Sequence, residues 1–520
     1  MNATACIRFV ASATGTGDQR LFFWVMRFMW SKMNRVRRDS VDRSRSNCNV
    51  VLNRHRWMLI ALLLSSCHQG GPTFSDIAPV ELPPQFSPVR APRPHQGSEA
   101  WWLALNDSQL NSIVARVEQG NLTVAQARER LAAAAAISHS ASSGFLPNVG
   151  LSGSATGSSS RTKVEDISRR PAQLNLETGW EIALFGQDKL AQQSANLDRY
   201  MAAEDVNAAK LSVAAEAATS YVRLRALQHQ RQNVDLLSSA KAKARDVATL
   251  RSKSGLATRF EAQAASEDSA AMAQQKRLLE NAIADEIQCI AVLQGVKEGD
   301  ATLSAMRPQP VASNARVTAV PADVLRQRPD IRRAEFAVLK TGAEVGIATS
   351  DLYPKLHLSG MIGIGSPVSG SIFGIMGGPS LQMPIFDYGK RLDVVEAKKA
   401  QWREVVAAYR QAVLVAHGEA SSALRALLAA RLETARAKSA YATAQKGSAQ
   451  AKLLSREGLS DASALVVRQI EAAETRRQLT EAMKDEAEAL IALAKAAGGS
   501  FSAEAPGIAT SSEKRRKSGS

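Results

Sequence analysis

The sequence predicts a mainly α-helical protein that contributes four strands to a small membrane β-barrel, the whole laid out as a tandem repeat. Three observations predict it. Hydrophobic residues make up 45% of the 520-residue chain but aromatics only 5%, and alanine is interleaved with charge; long helices have this texture, and a compact enzyme core carries more aromatic bulk. No Gly or Pro interrupts the chain between Gly186 and Gly255, room for a helix on the order of 100 Å at 1.5 Å per residue. And the alternation Leu146-Pro147, Val149, Leu151-Ser152-Gly153 is written again as Tyr353-Pro354, Leu356, Leu358-Ser359-Gly360.

The front of the chain reads as an export signal. In NRHRWMLIALLLSSC, Arg54 and Arg56 flank an apolar run from Trp57 to Leu64, and small residues lead to Cys67. The run is too short to stay in a bilayer as a helix. Its ending resembles a bacterial lipobox, which implies cleavage before Cys67 and a covalent lipid on that residue as the sole attached group. His68, not Asp, follows, which by the same resemblance goes with delivery to the outer membrane. Residues 1–66 are expected to be this signal plus an upstream extension from a misassigned start codon. Residues 67–100 form a lipidated tether, since seven of the 18 prolines fall between 70 and 98 and exclude helix or central strand. Trp101-Trp102 closes it, as core packing or as an interfacial pair.

The first repeat is expected over residues 101–312: a helical pattern from about Asp107 to Ser142, strands near 145–157 and 173–185, the long arm to Gly255, and a second arm over roughly 258–294. The second repeat, 313–497, follows the same order: a helix from about Pro329 to Ser350, strands near 353–365 and 371–386, an arm from Gly389 to Gly458, and another over roughly 461–497. WEIALF at 180–185 aligns with LQMPIF at 381–386, and SKSGLAT aligns with SREGLSD, Gly255 on Gly458. Offsets of 207, 201 and 203 make a duplication. Residues 498–520 are a basic tail.

Along the strands Leu356, Leu358, Gly360, Ile362 and Ile364 share one face, as do Leu174, Leu176, Trp180, Ile182 and Leu184. Segments of this length cross hydrocarbon when tilted, although alternation alone fits a soluble sandwich as well. Four strands cannot close a barrel, and an open sheet edge in lipid leaves backbone groups unpaired. Several copies must therefore share one barrel. The arms likewise cannot bury an apolar stripe against themselves. Gly255 and Gly458 sit where each hairpin reverses, because glycine accepts left-handed dihedrals. Those tips lie far from the membrane and are the natural docking points for a partner.

The charge excludes little else. Of the net +16, +8 lies in residues 1–66 and +3 in the cluster Glu513 to Lys517, so +5 remains for the body; a nucleic-acid partner would need the charge there. Cys6, Cys48, Cys67 and Cys289 have no metal or disulfide spacing, and Cys289 reads as packing. MIGIGS at 361–366 lacks the third glycine and the helix of a phosphate loop. No nucleophile–base pair stands out, so no catalysis is expected. Pro329-Asp330 in RPDI is a helix start.

With WWLALNDSQL, NLTVAQAR from Asn121, WEIALFG, RQRPDIRRAE at 326–335 and PIFDYGKR at 384–391 in this order, the chain resembles the outer-membrane factors of Gram-negative tripartite efflux systems. The likeness is to their lipoprotein branch (TolC-related, NodT-like) and spans Cys67 to about 497. The resemblance implies a homotrimer with a twelve-stranded barrel in the outer membrane and an α-helical tunnel through the periplasm. It would be a passive exit duct docked at its tips to a periplasmic adaptor and an inner-membrane pump. It places tip contacts at Gly255, Leu256 and Thr258 and at Gly458, Leu459 and Ser460. Ser254 and Glu457 stand where members often carry a small apolar residue, and Ala464 and Val467 follow Asp461 where some place an acidic ring, so no gate residue is assigned. Two other readings remain: an exit duct for secreted proteins, and a lipid-anchored coiled-coil spacer bridging the envelope.

Overall fold

A computed structural model describes residues 100–155, 158–161, 166–169, 172–312, 325–366 and 372–499. Cys67, the tether, the upstream segment and most of the basic tail lie outside these residues. The first repeat opens with a 3-10 turn, Trp101–Leu105, then α1 (Ser108–Gly120) and α2 (Leu122–Ala141). Strand β1 (Asn148–Ala155), the short β2 (Ser158–Arg161) and β3 (Asp166–Arg169), and β4 (Ala172–Ile182) follow. The arms are α3 (Gln187–Lys253) and α4 (Arg259–Leu293). The second repeat runs α5 (Pro329–Ser350), β5 (Lys355–Ser366), β6 (Ile372–Gln382), α6 (Lys390–Arg456) and α7 (Ala462–Ala496).

The duplication is visible in the element lengths. Helices α3 and α6 have 67 residues each, and α4 and α7 have 35 each. Left-handed glycines mark the same joints in both halves: Gly186 and Gly389 before the long arms, Gly255 and Gly458 at the tips, Gly295 and Gly498 after the return arms. Each pair is 203 apart. The strands correct one alignment. Asn148 pairs with Gly179 and its counterpart Lys355 pairs with Gln382, so β4 maps onto β6 by 203, not by the 201 of WEIALF on LQMPIF. Trp180 therefore corresponds to Met383, and the same 203 carries Gly186 onto Gly389, so no residue is inserted between strand and long arm.

A second correction concerns the stretch 107–142, which is two helices. The Asn121 side chain accepts the N–H groups of Thr123 and Val124 (2.9 and 3.1 Å), starting a new helix, as an N-cap does. Gly120 fits against the backbone of Gln294, where a Cβ would lie 2.4 Å from the carbonyl oxygen. The β2–β3 hairpin, absent from the sequence expectation, forms a separate two-stranded sheet in a polar stretch with no apolar alternation to announce it.

One core joins the halves. Leu110, Ile113 and Val117 of α1 pack with Val213, Ala217 and Leu224 of α3, Ile290 of α4, Leu427 of α6 and Leu490 of α7. Trp101 is buried in it, edge-on to Trp102 at 5.6 Å, which settles the aromatic pair as packing. Cys289 sits at its margin, 3.4 Å from the Ser220 hydroxyl. Beyond Ala240 no residue of α3 is buried, and none of α4 before Ile290. The distal hairpin of the first repeat thus keeps apolar surface, Leu250 and Phe260 among it, that a lone chain does not cover.

Candidate functional site: an open sheet and two helical tips

Strands β1, β4, β5 and β6 form one antiparallel sheet in that order. Its register sorts the side chains by face. Leu151 stands opposite Leu176, which stands opposite Ile362, which stands opposite Ile375. Two rows down on the same face, Trp180, Leu358 and Pro379 align. Nearly all of these large apolar residues lie on one face, and Leu151, Ile364, Phe373, Ile375 and Leu381 are exposed. The other face carries Ser152, Asn175, Glu177, Glu181, His357 and Ser359. There the Ser152 hydroxyl donates to Glu177 (2.7 Å), and Lys355 bridges Glu181 and Asp351 (3.1 and 3.0 Å). An exposed apolar face backed by a polar one suits a wall between lipid and water. Leu184, expected on the apolar row, falls beyond the end of β4. Among the described residues β1 and β6 each have one neighbour, so each leaves one edge open.

The tips are built alike. After α3, the N–H of Leu256 donates to the Arg251 carbonyl (2.8 Å) across Gly255, whose φ is +72°. After α6, Leu459 donates to Leu454 (2.9 Å) across Gly458, φ +71°. Both are Schellman closures, which need the left-handed residue. Leu256 and Leu459 are consequently thrust into solvent, 72% and 76% exposed. The starts of the return helices differ. The Thr258 hydroxyl caps α4 by accepting the Glu261 N–H (3.2 Å), whereas Asp461 stands at the α7 cap and accepts from the Ser463 hydroxyl. The Ser460 hydroxyl reaches the Asp461 carbonyl at 3.5 Å, at the limit of a hydrogen bond. Val467 is exposed on the first turns of α7. Each hairpin holds its own three expected residues together. Hydrogen bonds joining α3 to α7 lie further back, among them those from Asn233 to the Ala473 carbonyl (2.6 Å) and from Arg476 to Gln232 (2.6 Å).

Two clasps tie the helices to one another, and the sequence reading gave neither a role. Arg225 is fully buried. Its guanidinium donates to Gln228 (2.5 Å), to the Ala305 carbonyl (2.7 Å) and to Gln109, and stacks on the Tyr221 ring at 4.8 Å. Tyr221 in turn donates to Asp107 (2.8 Å). Burial pushes the Tyr221 hydroxyl pKa up to about 12, with Arg225 opposing and Asp107 reinforcing the shift. In the second repeat Arg328, just before α5, donates to the Ala496 carbonyl (3.0 Å) and pairs with Asp330 and Glu419 (2.8 Å each). Its counterpart Asn121 donates to the Leu293 carbonyl (2.8 Å), the same rung of the first return arm. The arginine of RPDI is thus a clasp between α5 and α7. The 203 spacing of Gly295 and Gly498 was the signal that could have found it.

Among the described residues no group of three or more His, Cys, Asp or Glu could hold a metal, and no helix is long and apolar enough to cross a membrane.

The family model for outer membrane efflux proteins matches residues 113–295 and 320–499. Nodulation protein T of Rhizobium leguminosarum bv. viciae is 32% identical over 391 residues, covering 71% of this chain and 77% of that protein. The pyoverdine export outer membrane protein OpmQ of Pseudomonas putida is 28% identical, covering 72% and 83%. Among solved structures, the outer-membrane channel OprN superposes with a TM-score of 0.71 at 24% identity, over 84% of this chain and all of that one. VceC of Vibrio cholerae superposes at 0.65 and 22% identity, over 77% and 99%. The paired repeats, the sheet with one apolar face and these likenesses agree, and the chain belongs to the outer membrane efflux protein family.

Proposed function

We propose that three copies of this chain form the outer-membrane exit duct of a tripartite efflux pump. The four-stranded sheet carries the reading: it has one apolar face and an open edge on each side. Unpaired backbone edges cannot stay in hydrocarbon, so each sheet must continue into another copy until the wall closes. Closure gives a water-filled passage lined by the face that bears Glu177, Glu181, His357 and Ser359. The helical arms continue the passage into the periplasm, where neighbouring copies cover the apolar stripes that one chain leaves bare. The chain performs no catalysis in this reading; transport is driven by an inner-membrane pump reached through a periplasmic adaptor. Leu256 and Leu459, presented by Gly255 and Gly458 and flanked by Thr258 and Ser460, are the adaptor's contacts at the tips. A lipid on Cys67 adds a second hold on the outer membrane, with no other cofactor.

Planar-bilayer recordings on the mature protein test the duct. Stepwise ion conductance is the expected result, and its absence from correctly assembled protein overturns the reading in favour of a spacer. Replacing Leu256 and Leu459 together with Asp is expected to abolish adaptor capture while leaving conductance in place; undiminished capture would remove the tips from the interface.

A further inference from the structure

The two repeats fix the residue-level register with which one copy must join the next. We propose that β6 pairs antiparallel with β1 of a second copy so that Met383 stands opposite Leu151, Pro384 opposite Gly150 and Ile385 opposite Val149. This deepens the shared-barrel reading and rests on it.

The template lies inside the chain. β4 pairs with β1 behind it and with β5 ahead. Where it runs past its partner β1, its residues Trp180, Glu181 and Ile182 stay extended and face Leu358, His357 and Leu356 of β5. With β4 mapped onto β6 by 203 and β5 onto β1 by 207, those three pairs become the three proposed across copies. β6 stops at Gln382, where its last partner in the chain, Lys355, is reached. Among the described residues no strand pairs with the next ones, and Met383 and Ile385 are 56% and 92% exposed.

Face matching alone allows slips of two residues, because any even slip keeps apolar beside apolar. The stagger removes that freedom. Leu151 reaches Ile362 through Leu176, four residues beyond Leu358, its repeat counterpart. In the proposed seam Leu358, through Pro379, reaches Ala155 of the next copy, again four beyond the counterpart Leu151. Strands that close a barrel must share a consistent stagger, and a slip of two would alternate four with two or six. An aromatic contact points the same way. Phe185 stacks on Tyr353 at 4.7 Å beneath the β4–β5 pair. Its counterpart Tyr388 is 90% exposed at φ +58°, and the seam would set it on exposed Leu146 of the next copy.

Cysteine pairs in outer membranes test the register, in full-length protein carrying Cys289→Ser. Directly opposite Cβ atoms lie about 4.5–5.5 Å apart, and diagonal neighbours about 7–8 Å, beyond reach of a disulfide. Leu151→Cys with Met383→Cys, and on the polar face Ser152→Cys with Gln382→Cys, are expected to yield covalently linked copies on mild oxidation. The shifted pairs, Leu151→Cys with Leu381→Cys and with Ile385→Cys, are expected to yield about tenfold less. A shifted pair that links best, or no link in any pair while unheated protein runs as a trimer, overturns the register and leaves the shared barrel standing. Protein that runs as a monomer overturns the barrel reading itself.

Discussion

The two repeats have the same long and return arms to the residue and hold them with different chemistry. In the first, the long arm buries Arg225 under the segment that follows Gly295, with Gln109, Gln228 and two backbone carbonyls as acceptors. The residue 203 further on is Leu428, which is half-exposed. Where the first repeat uses the neutral Asn121 to tie α2 to the return arm, the second uses Arg328 with two carboxylates. Helix length cannot drift without misplacing a tip relative to the membrane, whereas the clasp need only be satisfied. The comparison teaches that the duct constrains lengths and turn glycines, and leaves the identity of the locking side chains open.

The largest expected effect breaks the first clasp. Arg225→Ala orphans several buried acceptors and leaves a cavity, a cost of about 3–5 kcal/mol. Leu428→Ala should cost about 1 kcal/mol or less. Thermal unfolding of the two variants in detergent measures the gap, and equal losses would mean that the repeats are locked alike.

Next come the glycines. A Cβ at Gly295 would sit 2.3 Å from the Gly120 carbonyl oxygen as well as forcing a residue with a side chain to φ +71°, so Gly295→Ala should cost about 2–4 kcal/mol. At the tips a Cβ meets nothing within 4 Å, and Gly255→Ala or Gly458→Ala should cost only the left-handed conformation, about 1–2 kcal/mol. Denaturant midpoints separate the two classes.

The matched clasps sharpen the comparison further. Arg328→Ala should cost about 2–3 kcal/mol, since it leaves the buried Ala496 carbonyl contact without its donor and removes the ion pairs to Asp330 and Glu419. Asn121→Ala, losing a neutral cap and one carbonyl contact, should cost about 1–2 kcal/mol. High salt is expected to narrow that difference by screening the ion pairs.

The smallest effect is the pH slope that Glu335 contributes in the second repeat. Burial pushes the Glu335 carboxyl up, with the Tyr409 hydroxyl, Arg326 and Arg332 opposing and Glu204 reinforcing. A raised carboxyl pKa means that the folded state binds its proton more tightly than the unfolded chain does. The stabilisation is complete below the ordinary Glu value and is lost as pH rises through the raised folded value. Glu335→Gln should flatten unfolding midpoints across that window. The first-repeat counterpart, Arg128, donates to the Glu118 carbonyl at the surface (3.2 Å), and Arg128→Gln should leave the slope unchanged.

Much of this was legible in the sequence because the signals are long or punctuated. Sixty-eight residues without Gly or Pro, 187 to 254, could be little else than a helix, and the tip glycines marked its end within two residues. Strand faces followed from strict alternation. What escaped was what tertiary contact alone decides. The break at Gly120-Asn121 sits in an alanine-rich pattern that continues on both sides, and the close approach of Gln294 selects it. The two-residue shift between β4 and β6 hid behind a shared phenylalanine, and strand pairing exposed it. The Arg225 and Arg328 clasps join residues about 80 to 170 positions apart, and nothing local announces them. The tip residues were placed correctly as turns, and their partner remains a proposal because a turn's geometry does not name what docks on it.

The mass of the mature protein extracted from outer membranes in detergent, measured unheated by light scattering with the detergent contribution subtracted, tests the central claim most directly. Three chains per particle, collapsing to one on heating, is the result expected of a barrel closed by three four-stranded sheets. A stable particle of one or two chains would contradict it, because the edges of β1 and β6 would then have to survive in the membrane unpaired.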